Sequence, residues 1–481
     1  MTLPFEIAED AATPLFLRIV RAVIADIERG RLRAGARLPG TRTLAADLGV
    51  HRKTVVAAYD ELVLQGWITV LPSRGATVAH DLPAADRPRR PTPARTVAPP
   101  ATGKVPGPAE RPGLTLSDGT PDPRLLPRAE LARAFRRALG SAAFLAPGGY
   151  GDPRGNPRLR AALAEWLSGT RGLAAGADDV LITRGSQMAL FLAARAVADG
   201  GGAIAVEDPG YPLAWAAFRA AGARVVGVPV DEDGISIAAL DGLARRDPGI
   251  RAVLVTPHHH YPTTVTLGAG RRLALLGLAA AHGWTVIEDD YDHDYRYEGR
   301  PVLPLAGAAA GGGAGSVIYV GSLSKLLAPG LRLGYAIATP DLTARMAAAR
   351  ETIDRQGDVP LETAVAELIA DGELRRHARK ARRIYLARRD LLVTALARDL
   401  GDALAFDVPA GGLALWLRVR ADIDAGLWAR QAQQRGLAVP HGGAFALDPA
   451  GARNAFRLGF AALDPGEMAR AIRLLCEAKP R

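Results

Sequence analysis

Cysteine, lysine and long apolar runs are scarce in this chain of 481 residues, and each scarcity excludes a class of protein. Cys476 is the sole cysteine, which excludes an internal disulfide framework and predicts a reducing compartment, the cytoplasm. No uninterrupted apolar run approaches the roughly 18 residues that a membrane-spanning helix needs. The N-terminus has neither a basic region nor an apolar core, so neither a signal peptide nor a membrane partner is expected.

The scarcity of lysine draws attention to Lys325, one of only five lysines among 60 Lys and Arg residues. A lysine that forms a Schiff base must be partly desolvated, so that its neutral, nucleophilic form is reachable near neutral pH. Lys325 follows an apolar strand, which suits this need. Ser322, Ser324 and Arg332 flank it and can donate hydrogen bonds to a cofactor phosphate. The other four lysines lie in basic helices, a proline-rich segment or the C-terminal tail.

Changes of composition divide the chain into three parts. Residues 1–80 predict three helices, with Gly49 between the second and third, and then a β-hairpin; this order is typical of a winged helix-turn-helix. Residues 81–113 contain nine prolines in 33 positions and no aromatic residue, which indicates a semi-rigid linker. Residues 114–481 predict an α/β domain with a smaller C-terminal α+β subdomain from about residue 351.

Buried strands separated by helical stretches predict a largely parallel sheet covered by helices in the third part. The expected strands are Val180–Thr183, Ala203–Glu207, Arg224–Val230, Ala252–Thr256, Trp284–Glu288, Ser316–Gly321 and Arg332–Ala338. Two more strands, Leu413–Val419 and Phe456–Ala461, are expected in the smaller subdomain.

Four further segments carry side chains that suit a flat, phosphorylated cofactor. Gly185 stands between a strand and a helix, where backbone N–H groups bind phosphate. Asp289 lies at the carboxyl end of a strand, where it can keep a pyridine nitrogen protonated, and Tyr291 can donate to a phenolic oxygen. Tyr211, at another strand end, can stack on a ring, and Arg457 can bind a substrate carboxylate through two hydrogen bonds.

Together these segments resemble the fold-type-I aminotransferases, which use pyridoxal 5′-phosphate (PLP), from roughly Leu114 to the C-terminus. The resemblance implies that Lys325 forms the Schiff base and that Asp289 pairs with the pyridine nitrogen. It also implies that Arg457 binds the ligand's α-carboxylate. The remaining implied cofactor contacts are Tyr291 at the phenolic oxygen, Tyr211 on the ring, and Ser186, Gln187, Ser322, Ser324 and Arg332 around the phosphate.

Two other stretches bear on assembly and turnover. The segment that begins at Tyr150 resembles the one that reaches the neighbouring subunit's cofactor in this family, which implies a homodimer with shared sites. The family's Asn-Pro-Thr-Gly motif is altered here, because Tyr261 replaces the Asn and Thr264 replaces the Gly. Tyr261 is therefore expected at the cofactor, and the change favours a sensor without net turnover over an enzyme.

The N-terminal unit resembles the GntR family of winged-helix regulators, through Gly35–Arg42, Leu44–Val50 and His51–Leu62. Residues 14–80 contain ten Lys and Arg against five Asp and Glu, the excess that a DNA-binding face needs. The start of the third helix is expected in the major groove, and arginines near the wing on phosphates or in the minor groove. The predicted DNA-binding residues are Arg37, Arg42, His51, Arg52, Lys53, Thr54 and Arg74.

A winged helix, a linker and an aminotransferase-like domain in this order resemble the MocR subfamily of GntR regulators. The resemblance implies a transcriptional regulator that binds paired sites on double-stranded DNA and senses an amino compound, or PLP itself, by aldimine formation on Lys325. Two alternatives stay open: an active aminotransferase with an accessory DNA-binding domain, and a regulator whose large domain only dimerises. His258–His260 completes no metal-ligand set, and Arg375–Arg389 reads as a solvated helix face or a further DNA contact.

Overall fold

The computed structural model describes residues 13–71, 75–80, 113–116, 119–145, 150–298, 303–309 and 316–480. The first part is the predicted winged helix, with Ile19, Val20 and Val23 buried in its core and Gly49 in the left-handed conformation between the second and third helices. Its elements are α1 (Leu15–Glu28), α2 (Thr41–Asp47), α3 (Arg52–Leu64), β1 (Ile68–Leu71) and β2 (Gly75–Val78).

The second part, the cofactor domain, alternates strands and helices as the sequence predicts. Its elements are β3 (Leu114–Thr115), α4 (Arg128–Leu139), α5 (Ala142–Leu145), α6 (Pro157–Arg171), β4 (Val180–Thr183), α7 (Ser186–Val197), β5 (Ala203–Asp208), α8 (Pro212–Ala220), β6 (Arg224–Asp231), β7 (Gly234–Ile235), α9 (Ile237–Arg246), β8 (Ile250–Val255), α10 (Ala269–His282), β9 (Thr285–Asp290), α11 (Leu305–Ala309), β10 (Val317–Ser322), β11 (Gly334–Ile337), α12 (Pro340–Ile353) and α13 (Val359–Ala370).

An eight-stranded sheet forms the centre of this domain, in the order β4-β11-β10-β9-β8-β5-β6-β7. The neighbours β10, β9, β8, β5 and β6 are parallel, whereas β11 runs antiparallel to β10 and β4. Helices α7, α8 and α12 cover one face and α9 and α10 the other. All seven predicted strands are present, and the carboxyl ends of β5, β8, β9 and β10 share one edge, where α/β sheets bind ligands.

The C-terminal subdomain is a three-stranded antiparallel sheet, in the order β12-β13-β15, with helices beside it. The two-residue strand β3, directly after the linker, pairs with β14, so the subdomain also includes residues 114–115. The elements are α14 (Glu373–Leu400), β12 (Leu404–Phe406), β13 (Ala414–Val419), α15 (Ala425–Gln434), β14 (Leu437–Ala438), β15 (Ala455–Gly459) and α16 (Pro465–Glu477). Among the described residues, every helix is too short or too polar to cross a lipid bilayer.

Candidate functional site

A cavity with an empty volume of about 410 Å³ opens at the carboxyl edge of the sheet. Lys325, three residues after β10, reaches this cavity, and its Nζ donates a hydrogen bond to the Gly119 carbonyl at 3.2 Å. The side chain is half-buried, as a reactive amine requires. The cavity brings together residues from segments far apart in sequence: Ser186, Tyr211, Thr256, Tyr261, Asp289, Tyr291, Ser322 and Lys325.

Asp289 lines the cavity, and one of its carboxylate oxygens can accept a hydrogen bond from a ligand. Its Oδ1 is buried and has no hydrogen-bond partner within the described ranges. Burial, and then the nearby charges of Asp290 and Asp292, raise the pKa of Asp289 to about 7, whereas Lys325 acts in the opposite direction. A buried acceptor of this kind costs free energy unless a ligand supplies a donor. A protonated pyridine nitrogen is such a donor, so this residue fits PLP.

Aromatic side chains form one wall of the cavity around Tyr261. The ring centroid of Tyr261 lies 5.0 Å from that of Tyr211, 6.0 Å from that of Tyr291 and 5.6 Å from that of Phe445, with edge-to-face geometry. The Tyr291 hydroxyl donates to the His259 carbonyl at 3.0 Å. This wall suits a flat ring, and it includes Tyr211, Tyr261 and Tyr291, three of the four tyrosines that the sequence predicts at a cofactor.

The expected phosphate residues gather at the N-terminus of α7. Gly185 has a φ of 79°, and a Cβ there would lie 2.9 Å from the Arg332 guanidinium, so only glycine fits this turn. Ser186 and Ser322 line the cavity, and Ser324 has a buried hydroxyl with no hydrogen-bond partner among the described residues. Hydroxyls, a guanidinium and helix N–H groups together suit a phosphate.

Gln187 and Tyr150 lie off this cavity. The Gln187 Nε2 donates to the Leu213 carbonyl at 2.6 Å, on the outer side of α7. Tyr150 is 74% exposed, and the Arg355 guanidinium stands 5.1 Å from its ring centroid. Neither residue lines the site of its own chain, so their predicted cofactor contacts stay predictions.

Arg457, on β15, lies directly behind the aromatic wall. It is 1% exposed, and its guanidinium carbon is 4.5 Å from the ring centroid of Tyr261. Its Nη1 donates to the Pro262 carbonyl at 2.7 Å and its Nη2 to the Tyr291 hydroxyl at 3.3 Å. The cation therefore stands beside the cavity, but its donors already have protein acceptors that a carboxylate ligand would have to replace.

The three consecutive histidines each face a different carboxylate. The distances are 3.0 Å for His258 Nδ1 to Asp290 Oδ1, 2.8 Å for His259 Nδ1 to Asp292 Oδ1, and 3.6 Å for His260 Nε2 to Glu207 Oε2. No cluster of metal-ligating side chains occurs in the described part of the chain. Burial lowers the pKa of both His258 and His260 to about 3, so both rings are neutral hydrogen-bonding groups in the core.

Three residues of the site have no signal in the sequence analysis. Thr256 lines the cavity, and the Glu207 carboxylate holds it by accepting from its N–H at 3.0 Å and its hydroxyl at 2.7 Å. Arg171, at the end of α6, donates to Asp290 Oδ2 at 2.5 Å. Glu207 belongs to the strand-end segment in which only Tyr211 is expected at the cofactor, whereas Arg171 lies in no motif.

The N-terminal end of α3, which is expected to enter the major groove of DNA, is exposed. His51 caps this helix by accepting from the Lys53 N–H at 3.2 Å, and Arg52 and Lys53 point into solvent. Arg37 and Arg42 are exposed as well, whereas Thr54 is half-buried. Arg74 lies outside the described residues. An exposed cationic helix start is what the major groove of DNA receives in winged-helix proteins.

These features define a DNA-binding winged helix joined to a PLP-binding domain of the aminotransferase fold. Residues 15–78 match the family described as "Bacterial regulatory proteins, gntR family", and residues 116–475 match "Aminotransferase class I and II". The chain belongs to the MocR-type subfamily of GntR proteins, and PLP is the cofactor that its large domain implies.

Relatives support both halves. The chain is 33% identical to the probable rhizopine catabolism regulatory protein MocR of Rhizobium meliloti, over 98% of this chain and 94% of that protein. It is 32% identical to the transcriptional regulator TauR of Rhodobacter capsulatus, over 96% of each. Among solved structures it is similar to LysN, an α-aminoadipate aminotransferase of Thermus thermophilus, with a TM-score of 0.68 and 30% identity over 76% of this chain and 91% of that one.

Proposed function

We propose that this protein is a transcriptional regulator whose cofactor domain binds PLP and an amino compound, or PLP alone, and thereby changes how its winged helices bind operator DNA. One observation carries the proposal: a single chain exposes the cationic start of α3 and also holds, in the cavity, Lys325 beside the unpartnered Asp289 oxygen. Relatives over nearly the full length are named as regulators, which supports this role over an enzyme.

Several residues in and around the cavity have a proposed part in this role. PLP supplies an aldehyde that captures amines and a ring that withdraws electrons. The Lys325 amine holds the cofactor, and Asp289 holds the proton on the ring nitrogen. Tyr211 covers the ring, while Ser186, Ser322, Ser324 and Arg332 hold the phosphate. Arg457 receives the carboxylate of the effector once its bond to the Pro262 carbonyl is released.

A homodimer acting on paired operator sites belongs to the same proposal. Tyr150 is largely exposed on its own chain, which supports its predicted reach into the cofactor site of a second copy. Two winged helices in a dimer would read two half-sites, because operator symmetry follows protein symmetry. The predicted cytoplasmic location also belongs here, since such a regulator must meet chromosomal DNA.

The rival proposal is an aminotransferase with an accessory DNA-binding domain. Its support is the structural similarity to LysN and the meeting of Lys325 and Asp289 in the cavity, with Arg457 beside it. Against it stands Thr264, which replaces a glycine and adopts a φ of 64° in the loop beside the cavity. Tyr261 likewise stands where the family's motif has Asn, and these two departures favour a sensor over an enzyme.

The deciding experiment measures DNA affinity and keto-acid release on the same PLP-loaded protein with a panel of amino compounds. The regulator predicts that one compound changes operator affinity at least fivefold, while keto acid never exceeds one equivalent per site. Keto acid released over many turnovers, with DNA affinity unchanged, would establish the aminotransferase instead. Light scattering of the same sample should give twice the mass of the chain; a monomer would overturn the shared-site proposal.

A further inference from the structure

The winged helix and the cofactor domain meet at the C-terminal end of α3. The Gln65 carbonyl, directly after this helix, accepts a hydrogen bond from the N–H of Ala269 at the start of α10, at 3.1 Å. Ala269 and Leu303 of the cofactor domain are buried in the same hydrophobic cluster as the winged-helix core. Because a buried backbone pair surrounded by apolar side chains is costly to break, this contact holds the rear end of α3 on the cofactor domain.

Glu61 places a carboxyl group inside this contact. Its side chain is fully buried, and its Oε1 accepts a hydrogen bond from Gln65 Nε2 at 2.6 Å. The negative charge of Glu61 acts to raise the pKa of two guanidinium groups of the cofactor domain, those of Arg272 and Arg296. Because the Gln65 carbonyl accepts the hydrogen bond from Ala269, the bond between Gln65 and Glu61 ties this carboxyl group to the docked end of α3.

Arg272, on α10, joins this contact to the loop that lines the cofactor cavity. Its Nη2 donates to the Pro257 carbonyl at 3.3 Å, and its other donors hold two further backbone carbonyls at 2.6 and 2.7 Å. Pro257 follows Thr256 and precedes Tyr261, and both of these residues line the cavity. A ligand that fills the cavity would therefore contact the loop whose Pro257 carbonyl accepts a hydrogen bond from Arg272.

Carboxylates of β9, the strand beneath the cavity, also act electrostatically on the Arg272 guanidinium. Burial lowers the pKa of Arg272 to about 10, and attraction to Glu288, Asp290 and Glu61 opposes that shift. Glu288 and Asp290 flank the cofactor residue Asp289 in β9. The charge of Arg272 thus interacts electrostatically both with carboxylates of the cofactor strand and with Glu61 on α3.

We propose that Arg272 on α10 and the Glu61–Gln65 pair on α3 couple the two sites of this protein: occupation of the cavity shifts the loop that Arg272 holds, α10 carries that shift to Ala269, and the hydrogen bond between Ala269 and Gln65 passes it to the end of α3 that Glu61 fastens. The inference rests on the proposed function, since it names how the cofactor site would control DNA binding. Ligand control needs a contact that differs between two states. This contact lies between the loop that lines the cofactor cavity and the helix that is expected to bind DNA. Glu61 is a positioning residue, because it touches neither cofactor nor DNA.

The test compares Glu61→Gln with Asp60→Asn, which removes the same charge from an exposed position one residue away. The measured quantity is the ratio of operator Kd values without and with PLP. If the wild-type ratio is tenfold, we expect it to fall to threefold or less in Glu61→Gln and to stay near tenfold in Asp60→Asn. PLP loading, read from visible absorbance, should be equal in all three proteins.

Hydrogen exchange on the wild-type protein provides a measurement that no folding defect can confound. Loading PLP should change the protection of the Ala269 amide and of the amides in the last turn of α3 by at least threefold. Unchanged protection at both places would overturn the inference. A wild-type Kd ratio of one, both with PLP alone and with PLP plus each compound of the amino panel, would overturn the proposed function together with it, whereas a full ratio retained in Glu61→Gln would overturn the coupling contact alone.

Discussion

Asp289 and Asp290 are adjacent in one strand, yet their carboxyl groups have opposite electrostatic environments. Burial and neighbouring carboxylates raise the pKa of Asp289 to about 7. Burial would raise that of Asp290 as well, but Arg171, His258 and His293 hold its pKa well below the usual range. Successive residues of a strand face opposite sides, so one carboxyl lies at the cofactor cavity and the other lies beside the buried Arg171 guanidinium. The strand thereby separates the cofactor function from the structural one.

The apo protein should lose stability at Asp289 as the pH rises. A carboxyl whose folded pKa is raised contributes its full stability below the unfolded value of 3.8 and loses it as the pH rises through about 7. Three pKa units at about 1.4 kcal/mol each set an upper limit of about 4 kcal/mol. Apo Asp289→Asn should therefore melt higher than apo wild type at pH 8, and the difference should shrink toward pH 4. Equal melting temperatures at pH 8 would contradict the raised pKa.

The same variant should bind PLP more weakly. Asn cannot stabilise a protonated ring nitrogen as a carboxylate does, so we expect at least a tenfold rise in the Kd for PLP. Equilibrium dialysis measures this constant. With PLP present, the order of melting temperatures at pH 8 should therefore reverse.

Lys325→Ala should abolish the covalent cofactor, which borohydride reduction of the loaded protein, followed by denaturation and mass measurement, would detect. Apo-protein affinity for operator DNA should change less than twofold, because Lys325 lies in the cavity and not on α3. Lys380→Ala, an exposed lysine on α14, is the control and should keep the covalent cofactor. A cofactor still attached in Lys325→Ala would move the reactive amine to another lysine.

Thr264→Gly should stabilise the protein. A β-branched residue at a φ of 64° costs about 1–2 kcal/mol, partly offset by the greater freedom of glycine in the unfolded chain. The expected net gain is about 0.5–1 kcal/mol in a denaturant titration. Thr263→Gly is the matched control and should destabilise, because the Thr263 hydroxyl is hydrogen-bonded to His260 Nδ1 at 2.7 Å. A loss of stability in Thr264→Gly would mean that its side chain has contacts worth more than the strain.

Arg52→Ala combined with Lys53→Ala should weaken DNA binding and flatten its dependence on salt. Each lost phosphate contact lowers the slope of log K against log salt by about 0.9, so the double variant should lose up to about 2. Arg379→Ala with Lys380→Ala removes two exposed cations from α14 and should leave the slope unchanged. A change in that control would reveal a DNA contact on α14, the alternative that the basic run leaves open.

Arg457→Gln should separate effector recognition from cofactor binding. We expect at least a tenfold weaker response to amino acids, an unchanged response to amines that have no carboxylate, and equal PLP loading. The melting temperature should also fall, because the Pro262 carbonyl loses a buried donor. Equal weakening for both classes of ligand would place the carboxylate site elsewhere.

Much of the fold was predictable because buried parallel strands are continuous apolar runs, and all seven expected strands occur in the sheet. Lys325, Asp289 and Tyr211 follow such strands, and the carboxyl ends of parallel strands share an edge, so their meeting in one cavity was predictable too. The hydrogen bond between Arg171 and Asp290 could not be predicted, because its partners lie 119 positions apart in the sequence and no local pattern links them. The pair β3–β14 was missed because two-residue strands have no periodicity.

The exposed start and buried end of α3 have a mechanical consequence. The helix has 13 residues and is therefore about 20 Å long, and only its rear end is fastened to the cofactor domain. A tilt of about 5° at Gln65 would carry His51 and Arg52 through about 2 Å, more than the tolerance of a hydrogen bond to a base edge. In the proposed coupling the helix would act as a lever, so that a change at the fastened end too small to disturb the core would decide which bases the other end can reach.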